Sequence, residues 1–205
     1  MVLMDLTSLL VFIPLLLVAM TVHEASHALM SHVLGDSTAK REGRLSLNPL
    51  VHIDPIFTVL IPGVMIALGY PPILAAKPVP FDPHSVRFGE FGAALVALAG
   101  PLSNIALAVL TALSLAIFNP TGLSREIVEF FLLLNVSLAV FNLVPWPPLD
   151  GSRVLYAFAP RPLQNVMNVI EGWGIAGLFI FIFLAWRFVA PLVGSVSSFL
   201  LGILT

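Results

Sequence analysis

The chain has 205 residues, of which 59% are apolar and only 10% charged, with a net charge of −2 and a mean hydropathy of +1.03. A water-soluble domain carries about 25% charged residues, so the composition excludes an ordinary soluble fold and points to a multi-pass membrane protein in contact with the lipid bilayer. No basic patch suggests nucleic acid, and the absence of cysteine excludes disulfides and thiolate metal sites.

Apolar runs of roughly 20 residues read as membrane helices. The first covers residues 6–34 and stops at Gly35. It lacks a basic start and a small-residue cleavage site and carries Asp5, so it is kept as a helix of the mature protein rather than a signal peptide. The second run, 55–70, is short and contains Pro62 and Gly63. The third covers 88–118, with Gly100 and Pro101 near its middle; the fourth covers 127–145 and is stopped by Pro145. The fifth covers 173–201 and is interrupted by Arg187 and Pro191. Between these runs, residues 43–49 (GRLSLNP) read as extended and the proline-rich 71–87 as non-helical. The expected fold is an all-α integral membrane protein, a bundle of about four to six membrane segments with short extended elements, forming one domain over 1–205.

The distribution of Lys and Arg tests the topology. If 55–70 crosses the membrane, the loops on one side hold Lys40, Arg41, Arg44 and Arg125 and those on the other hold Lys77, Arg87, Arg153 and Arg161, which gives no bias. If it enters and returns, Lys40, Arg41, Arg44, Lys77, Arg87, Arg153 and Arg161 share one side and Arg125 alone is on the other. The positive-inside bias of the second arrangement predicts a re-entrant 55–70 segment, four full spans and both termini outside the cytosol.

The chemistry is carried by His23-Glu24-Ala25-Ser26-His27, an HExxH motif on the first apolar run. Residues four apart share one helix face, so both imidazoles can reach one metal ion while Glu24 stands beside its water, the arrangement of a zinc peptidase. The bland alternative is a helix with two incidental histidines. Ionisable groups within an apolar span are expensive, and three of them at ligand spacing call for a function.

A catalytic zinc takes a third protein ligand. The metzincin extension fails, because Met30 and Val33 stand where Gly and His are needed. His32 is off the shared face, His52 and His84 sit in polar connections, and Glu126 and Glu129 fall at the wrong end of a span. Asp150, after the fourth run, emerges on the side that His27 approaches if 55–70 is re-entrant. It reads equally as a ligand or as a helix N-cap before Gly151 and Ser152.

HEASH on the first apolar helix, followed in order by GRLSLNPLVHIDP (43–55), AKPVPFDP (76–83), LAGPLSN (98–104) and FNLVPWPPLDG (141–151), resembles the site-2 protease family of intramembrane metalloproteases, in its minimal bacterial and archaeal form. The resemblance implies a three-helix catalytic core, with one zinc ion per chain held by His23, His27 and Asp150 and with Glu24 as general base. Asn142 matches the asparagine of the family's NxxPxPxLDG run; it is expected near the zinc, holding substrate backbone or oxyanion, or else in a capping or interhelical bond. Asn104 matches the GPxxN stretch and is expected to bond across helices, and His52 matches the subgroup without an assigned role. Phe57 and Trp146 depart from the family pattern without touching the expected ligands. The implied substrates are membrane proteins, cleaved in or near a transmembrane segment, with the site opening toward the cytosol of a prokaryotic cell membrane. The 43–49 segment is a candidate strand for pairing with an unwound substrate. Two other classes fit a buried His/Glu/Asp set: a proton- or metal-coupled transporter, disfavoured by the lack of internal repeats, and an inactive homologue acting as a membrane chaperone.

Overall fold

The structure, a computed structural model, describes residues 6–55, 58 and 77–204. The expected re-entrant segment 55–70 lies outside the described residues but for its two positions 55 and 58. Among the described residues there are seven α-helices in order: α1 (Leu6–Val33), α2 (Thr38–Arg41), α3 (Glu90–Phe118), α4 (Leu123–Asn142), α5 (Asp150–Phe158), α6 (Arg161–Gly172) and α7 (Ile175–Leu204), with a 3-10 turn at Pro49–Val51.

The central helix is α3, which packs against α1, α4, α5 and α7. Its inward face is built of small residues: Ala93, Ala97, Gly100, Asn104, Ala108, Thr111 and Ala112 are buried. Small side chains let helix backbones approach closely where lipid offers no hydrophobic gain for association. The outward face carries Leu95, Leu102, Val109 and Leu110, all exposed. A long helix apolar on both its packed and its open face fits a hydrocarbon surround rather than water. Among the described residues, two helices are long and apolar enough to cross a membrane, Ile13–Val33 within α1 and Glu90–Phe118. α4 starts at Leu123 rather than 127, so Arg125, Glu126 and Glu129 fall within its first two turns and shorten its apolar length. Ala108, Ala112 and Leu115 of α3 pack on Leu132 and Val136 of α4, with Val193 and Val196 of α7 against them.

The end of α1 is set by Gly35, whose φ of +107° a side chain would resist. The Gly35 N–H donates to His32 O (3.1 Å) and the Asp36 N–H to Ser31 O (3.0 Å), the paired bonds of a Schellman cap. Residues 77–87 are strapped beneath this end: the Arg87 N–H donates to Leu34 O (2.9 Å) and the Asp82 N–H to Asp36 Oδ2 (2.8 Å). Burial pushes the Asp36 carboxyl up, but the Thr38 hydroxyl, the Asp82 and Thr38 N–H groups and the Ser31 hydroxyl outweigh it and hold it below the ordinary carboxylate value.

Two expectations need correction. No strand occurs among the described residues, and 43–49 is a chain of local bonds rather than an extended element. The Ser46 N–H donates to Arg44 O, the Asn48 N–H to Ser46 Oγ and the Leu50 N–H to Asn48 Oδ1, which bends the segment into the 3-10 turn. Asp150 is not an N-cap either: Leu149 occupies that position, and no side chain caps α5. The helices α5 and α6, both amphipathic, fill the stretch 150–172, which the long apolar runs left unassigned. The start of α5 fits tightly against the end of α4, where a methyl group on Gly151 would overlap the Leu143 carbonyl.

Candidate metal centre

One helical turn of α1 carries His23 and His27 to the same face, against α3, and both are 7% exposed. The Nε2 atoms of the two rings stand 3.0 Å apart. The first residue of α5 brings Asp150 Oδ2 to 3.1 Å from His23 Nε2 and 3.4 Å from His27 Nε2. Residues more than a hundred positions apart in sequence thus aim three ligand atoms at one point.

The tautomers follow from the second set of bonds. His27 Nδ1 is 2.7 Å from Val96 O, which can only accept, so Nδ1 carries the hydrogen and Nε2 the lone pair. His23 Nδ1 is 2.6 Å from Asn104 Oδ1. The Asn104 amide orientation is fixed because its Nδ2 donates to Ala19 O (3.3 Å) and to Asn135 Oδ1 (3.0 Å), and Asn135 Nδ2 donates to Phe131 O (2.9 Å). A chain of bonds running from one backbone carbonyl to another therefore leaves His23 Nε2 as a lone pair as well.

Two imidazole lone pairs and a carboxylate oxygen face one another, and Asp150 Oδ2 is buried without a hydrogen-bond partner. Three acceptors at this range repel unless a cation lies between them. Zn–N and Zn–O bonds of about 2.0–2.1 Å at the tetrahedral angle separate ligand atoms by about 3.3 Å; the separations here are 3.0, 3.1 and 3.4 Å. The donor set and its spacing fit zinc, with outer hydrogen bonds of the kind that orient ligating histidines.

Gly100 completes the cradle. A Cβ at this position would lie 2.6 Å from His23 Nε2 and Cε1 and closer still to His27 Nε2, so only a glycine leaves the ligand face open. Glu24 is half-buried and within electrostatic reach of His23, His27, Asp150 and His52.

The structure thus brings His23, His27 and Asp150 together, with Glu24 next to His23 on α1, and places Asn104 in hydrogen bonds with α1 and α4. Asn142 donates to Leu138 O (2.9 Å) one turn back in its own helix. His52 is buried at 2% exposure rather than lying on a loop surface. His32 sits near Ser37 and Lys40, away from the centre, and His84 is exposed. Sequence reasoning missed Gly100, Asn135 and the Val96 carbonyl. An asparagine in the middle of an apolar span, as at 135, was a legible signal of an interhelical bond; a backbone carbonyl leaves none.

Residues 119–184 match the model of Peptidase family M50. The chain is 35% identical over 186 residues to YwhC of Bacillus subtilis, covering 86% of this chain and 79% of that protein. It is 31% identical over 163 residues to Rip2 of Mycolicibacterium smegmatis, covering 77% of this chain and 61% of that protein. Over 84 residues it is 47% identical to MJ0611 of Methanocaldococcus jannaschii, covering 38% and 44%. All three carry names that mark them as candidate zinc metalloproteases. No solved structure gives a significant match. With identity at this level across most of the chain, and a His/His/Asp group suited to zinc, the chain belongs to peptidase family M50, the site-2 protease family, and is a metallopeptidase.

Proposed function

We propose that the chain is an intramembrane zinc endopeptidase that hydrolyses peptide bonds in or near transmembrane segments of other membrane proteins. The observation that carries this reading is the convergence of His23 Nε2, His27 Nε2 and Asp150 Oδ2 on one point inside an apolar helix bundle. In this reading those three residues are the zinc ligands. Held there, zinc would supply Lewis-acid polarisation of a carbonyl and a lowered pKa for bound water.

The residues of the chain do the rest. Glu24 takes a proton from the attacking water onto its carboxylate as the water oxygen adds to the carbonyl carbon. It then delivers that proton to the amide nitrogen as the C–N bond breaks, leaving a carboxylic acid and a free amine. Asn104 and the Val96 carbonyl hold the two imidazoles in one tautomer and one orientation through the cycle. Asn142, at the end of α4, is the proposed contact to substrate backbone or oxyanion. A helical substrate must unwind to expose its peptide bond, and the apolar cavity of about 260 Å³ between Val22, Ala25, Ser26 and Leu29 of α1 and Leu45–Leu47 offers a place for the freed segment. With 55–70 re-entrant, Lys40, Arg41, Arg44, Lys77, Arg87, Arg153 and Arg161 share one side, and that arrangement supports a cytosolic opening.

The test is a comparison of wild type with Glu24→Gln, purified in detergent and reconstituted with zinc, on a peptide containing one apolar transmembrane segment. Both proteins are expected to bind one zinc ion, and the variant is expected to hydrolyse about 10²–10⁴-fold more slowly. Equal turnover by the two would refute the role of Glu24, and metal-dependent ion flux in liposomes without proteolysis would replace the reading with that of a transporter.

A further inference from the structure

The helix α6 divides lengthwise into two chemistries. At about 100° per residue, Leu163, Val166, Val169 and Trp173 fall on one side and Asn165 and Asn168 on the other. The edge between the two sides meets the protein: Met167 is buried, the Gln164 amide donates to Tyr156 O (3.1 Å), and Arg153 of α5 donates to Glu171. The apolar side is left open, with Val166 and Val169 54% and 60% exposed.

The neighbouring helices fix the height of α6 in the bundle. From Asp150 at the metal centre, where Gly100 of α3 also lies, α5 runs back along α3 until the Phe158 ring meets that of Phe91 edge to face (centroids 5.3 Å apart). Phe91 is the second residue of a helix apolar and long enough to span a membrane, and exposed Arg87 and Phe88 precede that helix. The end of α1 reaches the same level, since the Arg87 N–H donates to Leu34 O. At about 1.5 Å per residue, α5 places the start of α6 about 12 Å above the centre. The far end of α6 has a similar height. Phe181 of α7 packs on Leu149, next to Asp150, and it stands six residues, or about 9 Å, beyond the first residue of α7. Both ends of α6 therefore lie close to one plane, the plane in which α3 leaves the polar strap 77–87.

We propose that α6 lies along the membrane surface, at the boundary between headgroups and hydrocarbon, with Leu163, Val166, Val169 and Trp173 turned to the acyl chains and Asn165 and Asn168 turned to water. The partner is the lipid itself. A helix with one apolar and one polar side and low net hydrophobicity settles in this plane, and a tryptophan at its end sits well at headgroup level. Arg161, at the other end, falls on the polar side, where lipid phosphates are within reach. Because Gln164 and Glu171 bond to α5, a helix held at the surface also holds the helix that carries Asp150. The inference stands apart from the peptidase reading, since it requires the bundle to sit in a bilayer and requires no turnover.

The chain has no cysteine, so a single introduced thiol can be labelled at any chosen position. The full chain carrying Val166→Cys, Val169→Cys, Asn165→Cys or Asn168→Cys is labelled with a nitroxide and reconstituted in vesicles of phosphatidylcholine and phosphatidylglycerol. Power-saturation electron paramagnetic resonance reads collisions with oxygen, which concentrates in hydrocarbon, and with a water-soluble nickel chelate present on both sides of the membrane. Leu102→Cys, on the open face of α3, and Lys40→Cys, in exposed α2, mark the lipid and water ends of the scale. The ratio of oxygen to nickel collisions is expected to be several-fold higher at 166 and 169 than at 165 and 168, and lower than at 102. Nickel access at 166 and 169 equal to that at 40 would overturn the proposal, because the apolar side would then face water. Screening of both positions from both reagents would overturn it in favour of a second copy, or another part of the chain, on that face. Oxygen-rich, nickel-poor values at all four positions would overturn it too, with α6 immersed rather than at the surface. Each side is read at two positions, so one variant that fails to fold leaves the comparison standing.

Discussion

Gly100→Ala should weaken zinc binding without changing any of the proposed ligand residues. The added methyl would sit 2.6 Å from His23 Nε2 and Cε1 and nearer still to His27 Nε2, about 1 Å inside the contact distance of roughly 3.5 Å between such atoms. Neither ring has room to retreat, because His23 is tied to Asn104 at 2.6 Å and His27 to the Val96 carbonyl at 2.7 Å. The helix must therefore shift or one of those bonds must break, and overpacking of this kind costs about 1–3 kcal/mol. The cost falls on the ligand atoms themselves, so it appears as a loss of zinc affinity of about 10–100-fold, each 1.4 kcal/mol being tenfold. Competition with a chromophoric chelator on the detergent-purified protein measures it. Gly172→Ala is the control, since a Cβ at Gly172 meets nothing within 4 Å. Zinc bound by Gly100→Ala with wild-type affinity would refute the arrangement of α1 against α3 on which the site depends.

Three other outcomes follow from the same geometry. Asn104→Ala removes the acceptor for His23 Nδ1 and the donor to Ala19 O and Asn135 Oδ1, so zinc titration should show affinity lower by about 10–100-fold; an unchanged affinity would mean the outer bond does not orient the ring. Removal of zinc by a chelator should lower the unfolding temperature of wild type, because zinc at 1,000 times its Kd stabilises the folded state by about 4 kcal/mol; His23→Ala should show no such shift. Asp36→Asn should unfold at lower temperature than wild type at neutral pH. The Asp36 carboxyl is held below its ordinary value of 3.8, so its contribution is present above that pH and fades as pH falls through the lowered folded value; thermal melts of the two proteins from pH 7 to pH 2 should converge at the acid end, and parallel curves would sink the assignment.

The motif and its carriers were readable because they obey local rules. HExxH needs only the four-residue repeat of a helix, and runs near 20 apolar residues need only the thickness of a bilayer. Asp150 was harder: as an isolated residue it reads as an N-cap, and only its partnership with α1 across the fold separates the two meanings. The bend at 43–49 was misjudged because alternating Leu45, Leu47 and their polar neighbours suggest a strand, whereas the Ser46 and Asn48 side chains bond the local backbone and offer it another way to satisfy itself. α5 and α6 were not anticipated, since short amphipathic helices give a weaker signal than long apolar ones. His52 read as a loop histidine because its burial depends on α1, the 3-10 turn and the 77–87 strap meeting around it.

The cohesion of the bundle and the chemistry of the centre rest on the same few bonds. Asn104 of α3 touches Ala19 and His23 of α1 and Asn135 of α4, so one amide links three helices and fixes a tautomer. In a bilayer core there is no water to compete for those groups, and an unmatched one is costly. Breaking the chain would therefore loosen helix packing and free the His23 ring in a single event. The small residues on α3 have the same double character. They admit α1 at close range, and at Gly100 that closeness is what leaves the two Nε2 atoms facing open space. A larger residue elsewhere on this face would separate the helices; at Gly100 it would also fill the site. Tight packing against α1 and an open ligand face thus depend on one stripe of small residues on one helix, α3.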